Sequence, residues 1–432
     1  MKAVLIIPPS PWLISDRDQP LTGILYIASY LKSRGYEVQV CDLSGMTEEN
    51  WYIPIGHIYG ITGVTPNFPY VKKIIDTLKT REPTKMVVVG GVHATVLPQH
   101  VLDNTKADVC VIGEGENTFL ELMEGKKSLK NIDGIVTREF TTKPRKLEKN
   151  LDVFPYPDRN SIDYYSYLVP QTYKYLSSDR EGSIITSRGC PYNCAYCGSY
   201  KMHGGKVRFR SADDVFSELL HLKSHYDIGL CNFVDDTFIL NKKRLIEICD
   251  YIKKLDIKWF FLTRTDHVDL KLFEKMVDSG CVSVTFGFES GSNKILDVMN
   301  KRTTVEQSYE AIKISKKAGL KIRGQMMVGL PFEEDEDIEL TADFIKNSRE
   351  VDAIGLHVFQ PYPGCDVWRN PEKYEWDLDE DFINYHTIGK VGDKLTKNKK
   401  IQERYEYLKG IIADRSIEFK GALDEKTSQK DN

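Results

Sequence analysis

The sequence predicts an α/β protein: an N-terminal doubly wound, Rossmann-like parallel sheet, followed by an open partial (β/α)6 TIM-like barrel and a short helical tail. Three observations carry that expectation. Apolar, β-rich runs alternate with amphipathic helical stretches along most of the chain, the pattern of parallel sheets covered by helices. The second half holds six such β/α repeats, too few to close an eight-stranded barrel. The 432 residues, 41% hydrophobic and 28% charged, suffice for two or three domains with real cores. The expected boundaries are 1–140 for the first sheet, 141–181 for a linker, 182–375 for the barrel and 376–432 for a helical extension.

In the first domain the strand runs are residues 3–7, 37–41, 58–62, 86–89 and 109–112, with helices at 23–33, 70–80 and 118–123. The opening apolar run stops at Pro8 and Pro9, so it reads as a first strand and not as a leader, and no run is long enough to span a membrane. In a doubly wound sheet the ligand sits at the carboxyl ends of the strands. The loops there are rich in Gly and Pro, at residues 8–12, 63–66, 90–95 and 113–116. Glycines at such ends let the backbone approach something large and flat, although each loop alone reads equally as an ordinary βα turn. The linker is polar and tyrosine-rich, and Pro155 and Pro157 discourage regular structure in it. Such a stretch is expected to pack between domains.

The barrel runs are 183–187, 229–234, 259–263, 282–288, 321–328 and 353–359, with helices at about 212–226, 241–255, 269–279, 303–318 and 334–347. One further helix is expected near 401–419, and the polar end 424–432 reads as frayed. Behind the first barrel run stand Cys190, Cys194 and Cys197, spaced C-x-x-x-C-x-x-C. Gly189 and Pro191 force a loop there, which can wrap three thiolates around one face of a metal cluster. A closed structural zinc or iron–sulfur site needs four ligands; three leave an open position for chemistry. The competing reading is a zinc knuckle completed by His203, but that residue lies in a Gly-rich, basic segment expected to be solvated loop. The other six cysteines are scattered among apolar residues, which argues for a reducing cytoplasm and metal chemistry over a disulfide framework. A net charge of -4 gives no reason to expect a nucleic-acid partner.

At its cysteine loop the chain resembles the radical S-adenosylmethionine (SAM) superfamily, in which C-x-x-x-C-x-aromatic-C binds a [4Fe-4S] cluster whose open iron chelates SAM. The resemblance makes Cys190, Cys194 and Cys197 the metal ligands and puts Tyr196 at the aromatic position set against the adenine. The first domain resembles the cobalamin-binding domain of one large branch of that superfamily. V-V-V-G-G-V-H-A-T (residues 87–95) and V-I-G-E-G-E-N-T-F (residues 111–119) are its most specific matches. Pro9, Thr65, Gly90, Gly91, His93, Gly113, Glu114 and Gly115 are the cobalamin-contacting positions it implies. Many cobalamin proteins carry D-x-H-x-x-G after the first strand, and this chain lacks it. His57 has the H-x-x-G half in the wrong place and reads as packing.

The same resemblance marks residues just after the barrel strands. Asp235 and Asp236 can take a SAM hydroxyl, the substrate or a helix N-terminus. Glu289, in E-S-G-S with Ser290, resembles the acid that contacts the SAM ribose. Gly329 lies in the segment near the SAM adenine, where Gln325, Met326 and Met327 read as barrel filling. Arg264 and Arg323 can hold the SAM carboxylate. Cys365 replaces the Thr of the family's Y-P-G-T and reads as a loop thiol.

The resemblance implies an enzyme that cleaves SAM reductively to a 5′-deoxyadenosyl radical, with cobalamin supplying a methyl group to an unactivated carbon. Its cofactors would be a [4Fe-4S] cluster, SAM and cobalamin, and its electron donor a flavodoxin or ferredoxin. The substrate could be a small molecule, a lipid or a peptide. Rival readings are a radical cyclisation or rearrangement, a radical SAM enzyme whose first domain binds no cobalamin, a methylthiotransferase, and a non-enzymatic sensor. A methylthiotransferase would bring cysteines for a second cluster, and only Cys41 and Cys110 precede the linker.

Overall fold

This computed structural model describes residues 1–11, 13, 15–169, 179–378 and 398–415. Two compact units divide the chain, one spanning Met1–Tyr167 and the other Leu168–Leu378 with the C-terminal helix.

The first unit is a six-stranded sheet in the order β2-β1-β3-β4-β5-β6, with β1 (Lys2–Ile7), β2 (Glu37–Asp42), β3 (Ile58–Ile61), β4 (Met86–Val89), β5 (Val109–Val111) and β6 (Ile135–Val136). β1 to β5 are parallel and β6 closes the edge antiparallel. The order reverses between β1 and β3, the point where doubly wound sheets open a ligand crevice. The strands are near-continuous apolar runs because both faces are covered. One face packs the helix Phe68–Arg81 through Val71, Ile74, Ile75 and Leu78; the other packs Thr22–Ser33 and Glu116–Glu124 through Ile24, Leu25, Leu31, Phe119 and Leu122. Two short helices, Val92–Val96 and Pro98–Asn104, escape the sequence reading because the glycine pair before them resembles a plain loop.

Two expectations about this unit are corrected. His57 is exposed at the amino end of β3, where its Nδ1 accepts from Lys2 N at 3.0 Å, so it neither packs in the core nor reaches the ligand edge. The tyrosine-rich stretch does not stand apart as a linker as far as Tyr167. Phe154 stacks edge-on against Tyr30 at 5.2 Å, and Tyr167 Oη donates to Asp42 at 2.8 Å, so it is built into the first unit. Its continuation at 170–178 lies outside the described residues.

The second unit holds six parallel strands in the order β14-β13-β12-β11-β10-β7: β7 (Glu181–Ile184), β10 (Leu230–Phe233), β11 (Lys258–Thr263), β12 (Cys281–Glu289), β13 (Lys321–Val328) and β14 (Ala353–Val358). Helices follow the strands, and an aromatic layer of Phe233, Phe238, Trp259, Phe261 and Phe273 fills the space between sheet and helices. Between β7 and β10 runs a short antiparallel ladder, β8 (Ser187–Arg188) with β9 (Arg208–Phe209). The ladder turns residues 189–207 into an excursion that carries all three clustered cysteines. The C-terminal helix Lys399–Asp414 buries Tyr405, Leu408 and Ile412. The end of the expected 401–419 helix and the tail 424–432 lie outside the described residues. Among the described residues, no helix is long and apolar enough to cross a membrane.

Candidate active site

All six barrel strands run in parallel, so every loop that follows one emerges at the same edge. The cysteine loop is held at that edge through its backbone: Ala195 N donates to Met299 O at 2.8 Å, Val367 N to Ala195 O at 3.1 Å, and the Asn300 side chain donates from Nδ2 to Asn193 O at 2.7 Å. Gly189 has φ of 97°, and a Cβ there would strike Lys206 O and lie 3.0 Å from the His203 side chain. His203 therefore packs half-buried beneath the loop, on the short helix Ser199–His203, and is not solvated.

Asp235 belongs to the same scaffold. It accepts from Thr186 N and Thr186 Oγ1 at 2.6 Å and from Ser187 N at 2.7 Å, although its burial raises its pKa. Both carboxyl oxygens are thus committed to the turn that launches the cysteine loop, and the cofactor-facing role expected of it is corrected to a clamp. Asp236, by contrast, is exposed and accepts from Ser199 Oγ at 2.6 Å.

Cys194 is buried, while Cys190 and Cys197 are half-exposed. Burial raises the Cys190 pKa and pushes Cys197 up to about 12, so neither thiol ionises at neutral pH without a metal to displace its proton. Among the described residues no three His, Cys, Asp or Glu groups close on one ion. A cubane does not require that, since each thiolate binds a different iron. Arg264 faces the cluster side: its Nη1 lies 3.6 Å from Cys194 Sγ, and its guanidinium stacks 3.8 Å above the Tyr192 ring. Its Nε and Nη2 donors go to Asp266, at 2.9 Å twice, and to Lys301 O at 2.6 Å. Tyr192 Oη in turn bonds His267 Nε2. Four of the five Arg264 N–H groups are thus engaged with Cys194 and its scaffold, which leaves one on Nη1.

The second cluster of charge surrounds Glu289. A register shift between Gly287 and Glu289 re-aims the strand end, and Glu289 sits at φ 68°, unusual for a residue with a Cβ. Its Oε1 receives Lys301 Nζ at 2.9 Å and Tyr196 Oη at 3.2 Å, and Lys301 Nζ also lies 3.1 Å from that hydroxyl. Burial and the Glu289 charge hold the Tyr196 phenol protonated well above its ordinary range. Lys301, only 3% exposed and flanked by the positive-φ residues Asn300 and Arg302, was not singled out from sequence. The polar turn N-K-R-T after an amphipathic stretch was the only available hint. Asp266, Tyr192 and His267 left no sequence signal at all.

The remaining barrel positions divide. Ser290 Oγ receives Ser292 N at 3.1 Å and lies 3.3 Å from Thr341 Oγ1, so it shapes the loop behind Glu289. Gly329 has φ of 80°, and its N donates to Glu333 Oε2 at 2.7 Å. Arg323 is buried in the amino half of β13, away from this edge. Met326 fills the core, whereas Gln325 is half-exposed and its Oε1 pairs with His357 Nε2 at 2.8 Å. Cys365 is buried, and its Sγ caps the helix Asp366–Arg369 by accepting from Trp368 N at 3.4 Å.

In the first unit the loops after β1, β3, β4 and β5 also meet at one edge. Asn67 Nδ2 donates to Pro9 O at 2.9 Å, and His93 N to Gly63 O at 3.3 Å. Thr95 Oγ1 joins Gly91 O at 2.8 Å to Gly113 N at 3.1 Å. His93 is buried, with Nδ1 3.2 Å from Thr65 Oγ1 and Nε2 3.3 Å from His100 Nδ1; burial depresses its pKa to about 3, so the ring is neutral. Gly91 has φ of 89°, and a Cβ there would lie 2.8 Å from Gly63 O; at Gly115 it would lie 2.8 Å from Ile27 Cδ1. A Cβ at Gly113 would meet nothing within 4 Å and one at Gly90 only Val111 Cβ at 3.9 Å, and Glu114, next to Gly113, is half-exposed. A rigid edge made mostly of bare backbone and small side chains, with Glu114 beside it, fits a broad, flat ligand such as a corrin.

Residues 184–345 match the Radical SAM superfamily, and residues 16–123 match the B12 binding domain. An uncharacterized methyltransferase of Pyrococcus horikoshii is 32% identical over 412 residues, covering 90% of this chain and 87% of that protein. The anaerobic magnesium-protoporphyrin IX monomethyl ester cyclase of Rubrivivax gelatinosus is 27% identical over 377 residues, 81% of this chain and 66% of the cyclase. The radical SAM methyltransferase TsrM from Kitasatospora setae, solved with cobalamin and a [4Fe-4S] cluster, shares the fold with a TM-score of 0.68 at 16% identity, over 85% of this chain and 74% of that one. The site and these matches define a radical SAM enzyme. Within that class the chain belongs to the family that carries a cobalamin (B12)-binding domain, and its cofactors are a [4Fe-4S] cluster, SAM and cobalamin.

Proposed function

We propose that the protein is a cobalamin-dependent radical SAM methyltransferase that places a methyl group on an unactivated carbon. The observation that carries this reading is the pairing of an open three-cysteine loop with a first domain whose ligand edge is stripped to backbone at Gly90 and Gly113. When bound, the cluster, SAM and cobalamin supply one electron, a hydrogen-abstracting radical and a methyl group, respectively.

The chain's own part is to bind and orient. Cys190, Cys194 and Cys197 would hold the cluster, and Arg264 fixes the Cys194 side chain from behind. Tyr196, Glu289 and the buried Lys301 form a trio with a hydroxyl, an anion and a cation, suited to the amino-acid and ribose groups of SAM. Pro9, Thr65, Gly90, Gly91, His93, Gly113, Glu114 and Gly115 would line the corrin. Positioning of this kind can account for a large share of a rate enhancement, because the reacting groups are held in reach of one another.

The test is anaerobic reconstitution with iron, sulfide and hydroxocobalamin, then desalting and measurement of cobalt per chain, followed by turnover with methyl-labelled SAM. Near-stoichiometric cobalt and label on cobalamin are expected. An intact cluster without cobalt would end the methyltransferase reading. The likeness to a cyclase supports a second reading, radical ring closure, which predicts 5′-deoxyadenosine and a product without the label.

A further inference from the structure

We propose that Arg264 is a positioning residue that sets the reduction potential of the cluster through Cys194. The proposal rests on the cluster reading above. Each of the three clustered sulfurs meets a different partner. Cys190 Sγ lies 3.5 Å from Thr237 Oγ1, whose single proton already goes to Asp236 O at 2.7 Å. Cys197 Sγ accepts from Ser199 N at 3.5 Å. Cys194 Sγ accepts from Arg264 Nη1 at 3.6 Å, and among the described residues no other cation donates to a clustered cysteine. Cys194 is also the most enclosed of the three, 6% exposed, where a neighbouring charge is screened least.

The guanidinium is aimed as well as near. Its Cζ sits 3.8 Å from the centre of the Tyr192 ring, and Lys301 O holds Nη2 at 2.6 Å. Asp266 caps the Nε–Nη2 edge with two bonds of 2.9 Å, on the side away from Nη1. The ion pair is therefore a fixed dipole with its positive end on the Cys194 sulfur. Charge-assisted hydrogen bonds are roughly twice as strong as neutral ones, and hydrogen bonds to the sulfurs together with local charge tune iron–sulfur potentials. Reduction adds one electron, and so one negative charge, to the thiolate-bound core; the donor is oxidised by one, and no bond forms or breaks. A positive end at Cys194 stabilises the reduced form over the oxidised one, so Arg264 raises the potential and Asp266 behind it moderates the rise.

The experiment is a potentiometric titration of the reconstituted protein without SAM, with dithionite as reductant, followed by electron paramagnetic resonance, with iron per chain measured alongside. The variants are Arg264→Met, Asp266→Asn and the double substitution. At the wild-type midpoint, Arg264→Met should lower the ratio of reduced to oxidised cluster by about tenfold, or about 59 mV for a one-electron couple. Asp266→Asn leaves Arg264 in place without its opposing charge, so the ratio should rise. The double variant buries no unpaired charge and keeps the wild-type net charge, so it serves should Arg264→Met lose iron. Its ratio should also fall, because the donating cation is gone. A residue that only braces the loop would change iron per chain without moving the midpoint in opposite directions. Unchanged midpoints in Arg264→Met and the double variant, or shifts of one sign in Arg264→Met and Asp266→Asn, overturn the proposal. A wild type that takes up no cluster overturns the cluster reading instead, so the two failures are distinguishable.

Discussion

The two units present their ligand edges in opposite styles. The first unit's edge is mostly backbone, small side chains and a histidine held neutral by burial, with Glu114 half-exposed beside them; the barrel's edge is made of full charges in contact, largely withdrawn from solvent, Arg264 with Asp266 and Lys301 with Glu289. A rigid edge dominated by backbone selects by shape, and a charge network withdrawn from solvent selects by complementary charge at fixed points. The cofactors follow the same division, a broad macrocycle for one and a zwitterionic, polar nucleoside for the other. The units should therefore fail differently when mutated, one through added volume and the other through lost charge.

The sharpest break is Cys194→Ala. It removes one of the three proposed ligands, so iron per chain should fall and 5′-deoxyadenosine formation should cease, while cobalt uptake stays at the wild-type level. Cleavage that survives the substitution would refute the cluster assignment. Next comes Lys301→Met, which leaves Glu289 charged and buried without its cation. Breaking a buried pair typically costs about 3–5 kcal/mol, so urea unfolding should shift strongly and SAM should bind more weakly, with Lys301→Arg recovering part of both. Wild-type stability and SAM affinity in Lys301→Met would mean that the pair does not hold the site together. Gly91→Ala tests the other style. A Cβ at φ 89° facing Gly63 O should cost roughly 1–3 kcal/mol and reduce cobalt per chain, with SAM cleavage retained. Equal losses of cobalt and cleavage would erase the distinction between the two edges.

The parallel order of both sheets was legible because buried parallel strands are short apolar runs spaced by helices, and the strand starts agree with the sequence reading to within two residues. The three cysteines were legible because their spacing is local. What escaped is what forms only in three dimensions. Lys301 reaches Glu289 across a separation of twelve residues, and Arg264 reaches Cys194 across seventy. Asp235 was legible as a residue at a strand end but not as a clamp, since its three donors lie nearly fifty positions earlier. The antiparallel β6 is two residues long and carries no periodicity to detect.

The last effect is one of sign, and it separates the two units by pH alone. The His93 pKa falls from 6.5 to about 3 on folding because burial beside Thr65, Phe68 and His100 disfavours the imidazolium. The unfolded chain then binds the extra proton, so the first unit loses stability as pH drops below 6.5, by about 1.4 kcal/mol per pH unit. Glu333 in the barrel is the reverse case. Burial raises it from 4.5 to about 7 despite the Gly329 N–H and Arg404, and its Oε1 has no hydrogen-bond partner among the described residues. There the folded state holds the extra proton, so the barrel unit loses stability as pH rises from 4.5 towards 7, at a similar slope of about 1.4 kcal/mol per unit. Hydrogen exchange read by mass spectrometry on peptides from each unit should show protection falling in β3 and β4 on acidification and in β13 on alkalinisation. His93→Gln should flatten only the first trend and Glu333→Gln only the second. Parallel slopes in the two units would place the pH response in their general surface charge and not in these two buried groups.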